Sequence, residues 1–152
     1  MKHPLHSVAL GNEQDVVGAR QRARSIAEAL GFDHHDQIRI ATATSEIARN
    51  AFRYARGGTV SFEIDSDSGI FRIVVIDKGN GIPHLKQVMA GVYRSSTGMG
   101  MGILGTKRLM DEFSIESGAS GTQVQFGKLL PVSKRTINSA TLQRVTAVLS
   151  GR

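Results

Sequence analysis

The chain has 152 residues, of which 40% are apolar and 21% charged, and it has no cysteine. One globular domain fits that size, disulfide, zinc-ribbon and thiol chemistry are excluded, and no apolar run approaches the ~20 residues needed to span a bilayer. The net charge of +6 sits mostly at the end: residues 128–152 hold Lys128, Lys134, Arg135, Arg144 and Arg152 with no acid, so the rest is nearly balanced and no nucleic-acid partner is indicated.

His6–Leu10 reads as a short edge strand. Asn12, with Asp15 three residues on, reads as a helix N-cap. Val16, Ala19, Ala23, Ile26, Ala27 and Leu30 then recur at helical spacing, and Gly31 is a natural stop. Asp33 opens a second helix to about Ala55, with Ile40, Ala43, Ile47 and Ala51 as its apolar stripe. Residues 59–65 alternate Val60, Phe62 and Ile64 with polar neighbours and predict a half-buried strand. A turn at 66–69 leads into a nearly continuous apolar strand at 70–76, expected to be central. A short helix near His84–Met89 interrupts a glycine-rich region, and a further helix runs from Ile103 to Met110. Residues 113–117 and 122–127, joined through Gly118 and Gly121, predict a hairpin. After Pro131 a last helix is expected, with Leu142, Val145, Val148 and Leu149 on one face. Hairpins outnumber alternating βα units, which favours an α+β fold with an antiparallel or mixed sheet and helices on one face.

Three constellations stand out. Glu46 and Asn50 are four apart and share a helix face in a stretch otherwise poor in charge. They either complete a polar surface stripe or point into a cleft, where Glu46 suits a proton acceptor and Asn50 offers an oxygen to Mg²⁺. Asp77-Lys78-Gly79-Asn80-Gly81-Ile82 follows the central strand. It is either a turn or a place where a planar ligand approaches closely, with Asp77 accepting from an exocyclic amino group. Gly98, Gly100, Gly102 and Gly105 open a helix, where bare backbone N–H groups suit phosphate. Two standard glycine motifs do not fit there. No strand precedes the glycines and no acid follows ~20 residues on, against a dinucleotide fingerprint. Thr106-Lys107 reverses the order of a P-loop.

Together, in this order, Glu-x-x-x-Asn on a helix, Asp-x-Gly-x-Gly after a strand, a Gly-x-Gly lid and Gly121-Thr122 before the last strand resemble the GHKL ATPase superfamily. That group includes gyrase, mismatch-repair ATPases, sensor histidine kinases and anti-sigma-factor kinases. Residues 36–55, 75–83 and 97–117 are similar to the RsbT-type switch kinases of the bacterial stressosome. The resemblance spans about His6 to Leu130 and implies a Bergerat fold, an α/β sandwich with a mixed, mostly antiparallel sheet, with ATP and Mg²⁺ between the helices and the lid. By position it implies Glu46 as general base, Asn50 as Mg²⁺ ligand, and Arg49, Arg53 and Arg94 near the phosphates. It implies Asp77 on the adenine amino group, with Gly79, Gly81 and Ile82 beside it. It places Gly98, Gly100 and Gly102 around the phosphates and Thr122 at the adenine end.

Glu46 also selects the reaction. Sensor histidine kinases generally carry Asn there, because an imidazole is a competent nucleophile near neutral pH, whereas a serine hydroxyl gains from a positioned base. The implied function is therefore a serine/threonine protein kinase acting on a STAS-domain protein of a stressosome and switching partners to a PP2C-type phosphatase. The alternative is an anti-sigma factor that sequesters a sigma factor in an ATP-dependent way. His34 and His35 read as surface residues. No nucleic acid or membrane is expected, and the location is expected to be cytoplasmic. Residues 1–130 form the expected kinase domain. Residues 131–152 are an extension the resemblance does not cover, either a helix packed on the domain or one that docks a partner.

Overall fold

The computed structural model describes residues 1–55, 57–83, 85–90, 99–131 and 138–150. The elements in them are β1 (Lys2–Leu10), α1 (Glu13–Ala29), α2 (His34–Ala55), β2 (Gly58–Asp65), β3 (Ile70–Asp77), α3 (Leu85–Ala90), α4 (Met99–Leu109), β4 (Glu112–Gly118), β5 (Gly121–Leu129) and α5 (Ser139–Ser150). Side-chain caps set three helix starts. Asn12 Oδ1 accepts from the Asp15 N–H at 3.0 Å while Asp15 Oδ2 accepts from the Asn12 N–H at 3.2 Å. Asp33 Oδ1 accepts from the Asp36 N–H at 2.8 Å, and Asn138 Oδ1 from the Thr141 N–H at 2.9 Å. Each satisfies one of the N–H groups that a helix start leaves without a partner.

The strands form one sheet in the order β1-β2-β3-β5-β4, and every pairing is antiparallel rather than mixed. Two boundaries differ from the sequence reading. β1 begins at Lys2, not His6, because Pro4 is admissible on an edge strand and the register slips between Pro4 and His6. α4 begins at Met99, not Ile103, so Gly100 and Gly102 lie inside its first turns instead of ahead of it. Glycine's poor helix propensity hides that start, and packing against α2 overrides it.

Alternation places Val60, Phe62 and Ile64, then Phe71, Ile73 and Val75, then Val124 and Phe126 on one sheet face, in register across β2, β3 and β5. They join Ile26, Ile40, Ala43 and Ile47 of α1 and α2 in one core. The opposite face carries a transverse row in which Glu63, Arg72, Gly127 and Glu112 face one another on β2, β3, β5 and β4. Without a side chain at Gly127, the Arg72 guanidinium reaches over β5 to grip Glu112 at 2.6 and 2.9 Å. Its Nη1 donates to Glu63 and Asp65, both at 3.0 Å. Arg72 is almost fully buried, and its bonds hold Asp65 down to about 2 and Glu112 below the usual carboxylate range, against the opposing effect of desolvation.

At the C-terminal end, α5 lies on α1 and β1. Thr141, Val145 and Leu149 are its buried face, so the contact is turned one position from the expected Leu142, which is half-buried. Arg144 Nε donates to the Ala29 carbonyl at 3.4 Å, at the end of α1. Among the described residues no helix is long and apolar enough to cross a membrane.

Candidate functional site

The C-terminal ends of α2 and β3 converge on a cleft between the helices and the sheet. Ile47, Ala51, Val75, Ile82, Ile103 and Val124 make it apolar, and Asn50, Asp77 and Thr122 supply polar atoms. Few polar groups in an apolar slot suit a flat, partly polar ring.

Asp77 ends the buried strand β3, and the chain folds back onto its carboxylate. Oδ1 accepts from the N–H of Gly79 at 2.9 Å and of Thr122 at 3.1 Å, while Oδ2 has no partner among the described residues. One oxygen is thereby fixed and the other remains available to a donor. Beside it runs a short polar rail. Ser117 Oγ accepts from the Ile82 N–H at 2.7 Å and lies 2.8 Å from Thr122 Oγ1. Sequence reasoning missed Ser117. Its signal was the hairpin register, which sets Ser117 directly opposite Thr122.

The glycines after Asp77 are required by the protein's own packing. A Cβ at Gly79 would stand 2.6 Å from the Ala55 Cβ. Gly81 has φ +90°, and a Cβ there would stand 2.6 Å from the Gly118 carbonyl oxygen. Both residues also line the cleft.

At the other end, α4 lies across α2. A Cβ on Gly102 would be 3.0 Å from Glu46 Oε2 and 3.9 Å from Asn50 Nδ2, so this glycine faces both residues of the Glu-x-x-x-Asn pair. Glu46 is 43% exposed and accepts from Arg49 Nη1 at 3.3 Å. Arg49 Nη2 also donates to Ser45 Oγ at 3.2 Å. Arg49 is on the outward side of α2 and Arg53 is exposed in its last turn. Like Glu46 and Gly102, neither is among the residues lining the cleft. Arg94 and Gly98 lie outside the described residues, and Gly100 is in the first turn of α4. His34 and His35 are exposed.

Asn50 tests whether the site suits a nucleotide and its metal. Its Nδ2 is buried without a hydrogen-bond partner among the described residues. An unpaired buried amide costs about 1–3 kcal/mol, so a ligand that partners it recovers that energy. A half-turn of the amide presents its oxygen at the same point, a ligand atom suited to Mg²⁺. With the free Asp77 oxygen at one end and bare α4 backbone at the other, the residues fit a purine nucleotide with a divalent cation.

The family profile of the histidine kinase-like ATPase domain matches residues 11–128. The serine/threonine-protein kinase RsbT of Bacillus subtilis (strain 168) is 45% identical over 126 residues, covering 81% of this chain and 95% of that protein. The anti-sigma F factor of Geobacillus kaustophilus (strain HTA426) is 25% identical over 146 residues, covering 91% of this chain and 100% of that protein. Among solved structures, the RsbU and RsbW domains of a Mycobacterium tuberculosis protein align with TM-score 0.60 and 22% identity. That alignment covers 88% of this chain and 35% of the other, and the likeness is one of fold. With the profile spanning most of its length and a relative nearly half identical, the chain belongs to the histidine kinase-like ATPase domain family, the GHKL group, as one of its serine/threonine protein kinases.

Proposed function

We propose that the chain transfers the γ-phosphoryl group of ATP to a serine or threonine of a STAS-domain scaffold or antagonist protein. Release from that protein then frees the kinase to bind and activate a PP2C-type phosphatase in bacterial stress signalling. The observation that carries this reading is Glu46, an accessible carboxylate one helical turn from the cleft residue Asn50 and facing Gly102 beside the cleft. A serine hydroxyl is barely ionised at neutral pH, and a carboxylate in this position takes its proton as the new bond to phosphorus forms. Arg49 orients that carboxylate before the substrate arrives.

Asp77 Oδ2 accepts from the adenine amino group, with Ile82 against the ring and Thr122 closing that end. Asn50 holds Mg²⁺, which when bound offsets the charge of the phosphates. The first-turn N–H groups of α4, at Gly100 and Gly102, face the phosphates. Arg53, Arg94 and Gly98 join them on the resemblance alone.

The test is transfer of γ-labelled phosphate from Mg·ATP to STAS-domain proteins of the source organism. Labelling that Glu46→Ala abolishes, with nucleotide binding intact, is the expected result. Absence of labelling by the unaltered kinase, with nucleotide bound, overturns it. A second reading is an ATP-gated anti-sigma factor, favoured by the match along the full length of the anti-sigma F factor. Co-purification with a sigma factor, and no STAS protein labelled, would put it first.

A further inference from the structure

Glu46 is one member of an outward strip on α2. Stepping back along the helix by four and then by three or four, the strip continues through Thr42 to Arg39 and Ile38. The core-facing stripe of the same helix, Ile40, Ala43, Ile47 and Ala51, is buried on the other side. Ile38 is 41% exposed, although the other isoleucines of α2 are fully inside.

A single exposed isoleucine is ordinary. This one has a charged neighbour with unused capacity. Arg39 is 48% exposed and gives one Nη1 bond to Asp36 at 2.9 Å, leaving the rest of its guanidinium without a partner among the described residues. Asp36 is itself shared with Lys128 at 3.7 Å, and Lys128 in turn with Asp111 at 3.6 Å, so these charges are matched and the spare donors are those of Arg39. Arg108 is also exposed on α4, the helix packed beside α2. The strip therefore presents an apolar side chain beside a half-exposed arginine with donors to spare, on the helix side that also carries Glu46.

Eight residues separate Ile38 from Glu46, or about 12 Å along the helix. A standard protein footprint of about 800 Å² per partner is roughly 30 Å across. A folded protein whose hydroxyl reaches Glu46 therefore covers Ile38 and Arg39 if it lies along α2.

We propose that the outward strip of α2 from Ile38 to Glu46 is the docking face for the kinase's protein substrate. Ile38 seats in an apolar depression of that substrate and Arg39 meets a carboxylate beside it. This deepens the kinase reading and rests on it.

The test uses steady-state phosphorylation of the STAS-domain substrate by the full chain and by three variants. They are Ile38→Gln, Arg39→Glu and the control Ile76→Gln. Ile76 is 44% exposed but stands on the opposite, open face of the sheet. The expected result is a KM for the protein substrate raised about tenfold or more in the first two, as for loss of a buried apolar contact or a charge pair at an interface. Their kcat and nucleotide affinity stay within about twofold, and only the Arg39→Glu effect shrinks at high salt. Ile76→Gln behaves as the unaltered kinase. Melting temperatures equal across the set exclude loss of folding. If the unaltered kinase labels the substrate and the α2 variants match it, or if Ile76→Gln loses as much as they do, the docking face is wrong and the kinase reading stands. If the unaltered kinase labels no STAS protein, the kinase reading falls and takes the docking face with it.

Discussion

Two glycines on α4 separate the helix's stability from its placement over α2. Replacing a helix-interior glycine by alanine removes about 1 kcal/mol of backbone penalty. A Cβ at Gly105 meets nothing within 4 Å, so the whole gain is available there. For a domain of this size it amounts to roughly 2–4 °C in Tm. At Gly102 the same Cβ stands 3.0 Å from Glu46 Oε2 and 3.9 Å from Asn50 Nδ2. Something has to give by a few tenths of an ångström. Glu46 is half-exposed on a flexible stem, so its carboxylate moves rather than the helix. Displacement of a reacting group by up to an ångström costs as much as about 100-fold in rate. Gly102→Ala is therefore expected to lower kcat for phosphoryl transfer about 10- to 100-fold while Tm stays level or rises slightly. Gly105→Ala is expected to raise Tm with kcat unchanged. Thermal denaturation and labelled-phosphate transfer on the two variants read both quantities. Wild-type kcat in Gly102→Ala would show that the position of Glu46 Oε2 does not matter to the chemistry. A Tm lowered by several degrees would show that the helix, not the side chain, had yielded.

Three further outcomes are expected. Arg72→Ala leaves Glu63, Asp65 and Glu112 facing one another without their cation and should cost roughly 3 kcal/mol in urea denaturation at neutral pH. Asp65 and Glu112 have native values below their unfolded ones of about 4. Their contribution is complete above about pH 5 and disappears as pH falls from about 4 towards 2, so Arg72→Ala should flatten the acid limb of the wild-type Tm profile. Asp77→Asn keeps an oxygen for the Gly79 and Thr122 N–H groups but turns the free position into a donor. Calorimetry should find nucleotide affinity lowered about 10- to 100-fold at unchanged Tm. Gly127→Ala puts a Cβ 2.5 Å from Ile70 Cγ2 and 2.6 Å from the Phe71 carbonyl oxygen, and should destabilise the sheet by about 1–3 kcal/mol in the same urea assay.

What the sequence discloses is local chemistry, and what it conceals depends on register. The Asn12–Asp15 capping box, the α2 stripe and the hairpin around Gly118 and Gly121 all lie within a few residues of their causes, and each is found in the structure. The pairing of Glu46 with Asn50 and the place of Asp77 at a strand end were legible for the same reason. Arg72 was not. It sits inside an apparently apolar strand, and its partners Glu63 and Glu112 are 9 and 40 residues away. The β2–β3 register sets Glu63 directly beside it, and the placement of β5 between β3 and β4, with glycine at position 127, brings Glu112 within reach. The start of β1 was hidden by Pro4, which weakens a strand signal everywhere except at a sheet edge. The helical state of Gly100 and Gly102 was hidden by propensity, because the neighbour that favours it, α2, lies some fifty residues upstream.

The two ends of the cleft differ in how much they can yield. Around Asp77 the space beside each glycine is already taken by backbone or by a neighbouring methyl: Gly79 by Ala55, Gly81 by the Gly118 carbonyl and Gly121 by the Asp77 carbonyl. Asp77 itself is bonded from two directions. That end is fixed by the sheet before any ligand arrives. The α2–α4 end has the opposite character. Both buried side-chain atoms without a partner among the described residues, Asn50 Nδ2 and Thr106 Oγ1, belong to these two helices. Glycine at 102 thins one side of the contact. Such a contact is worth less alone than with a ligand that satisfies Asn50, so occupancy of the cleft bears on α4 and much less on the sheet. Because Glu46 faces Gly102, a change in how α4 is held reaches first the carboxylate proposed as the general base.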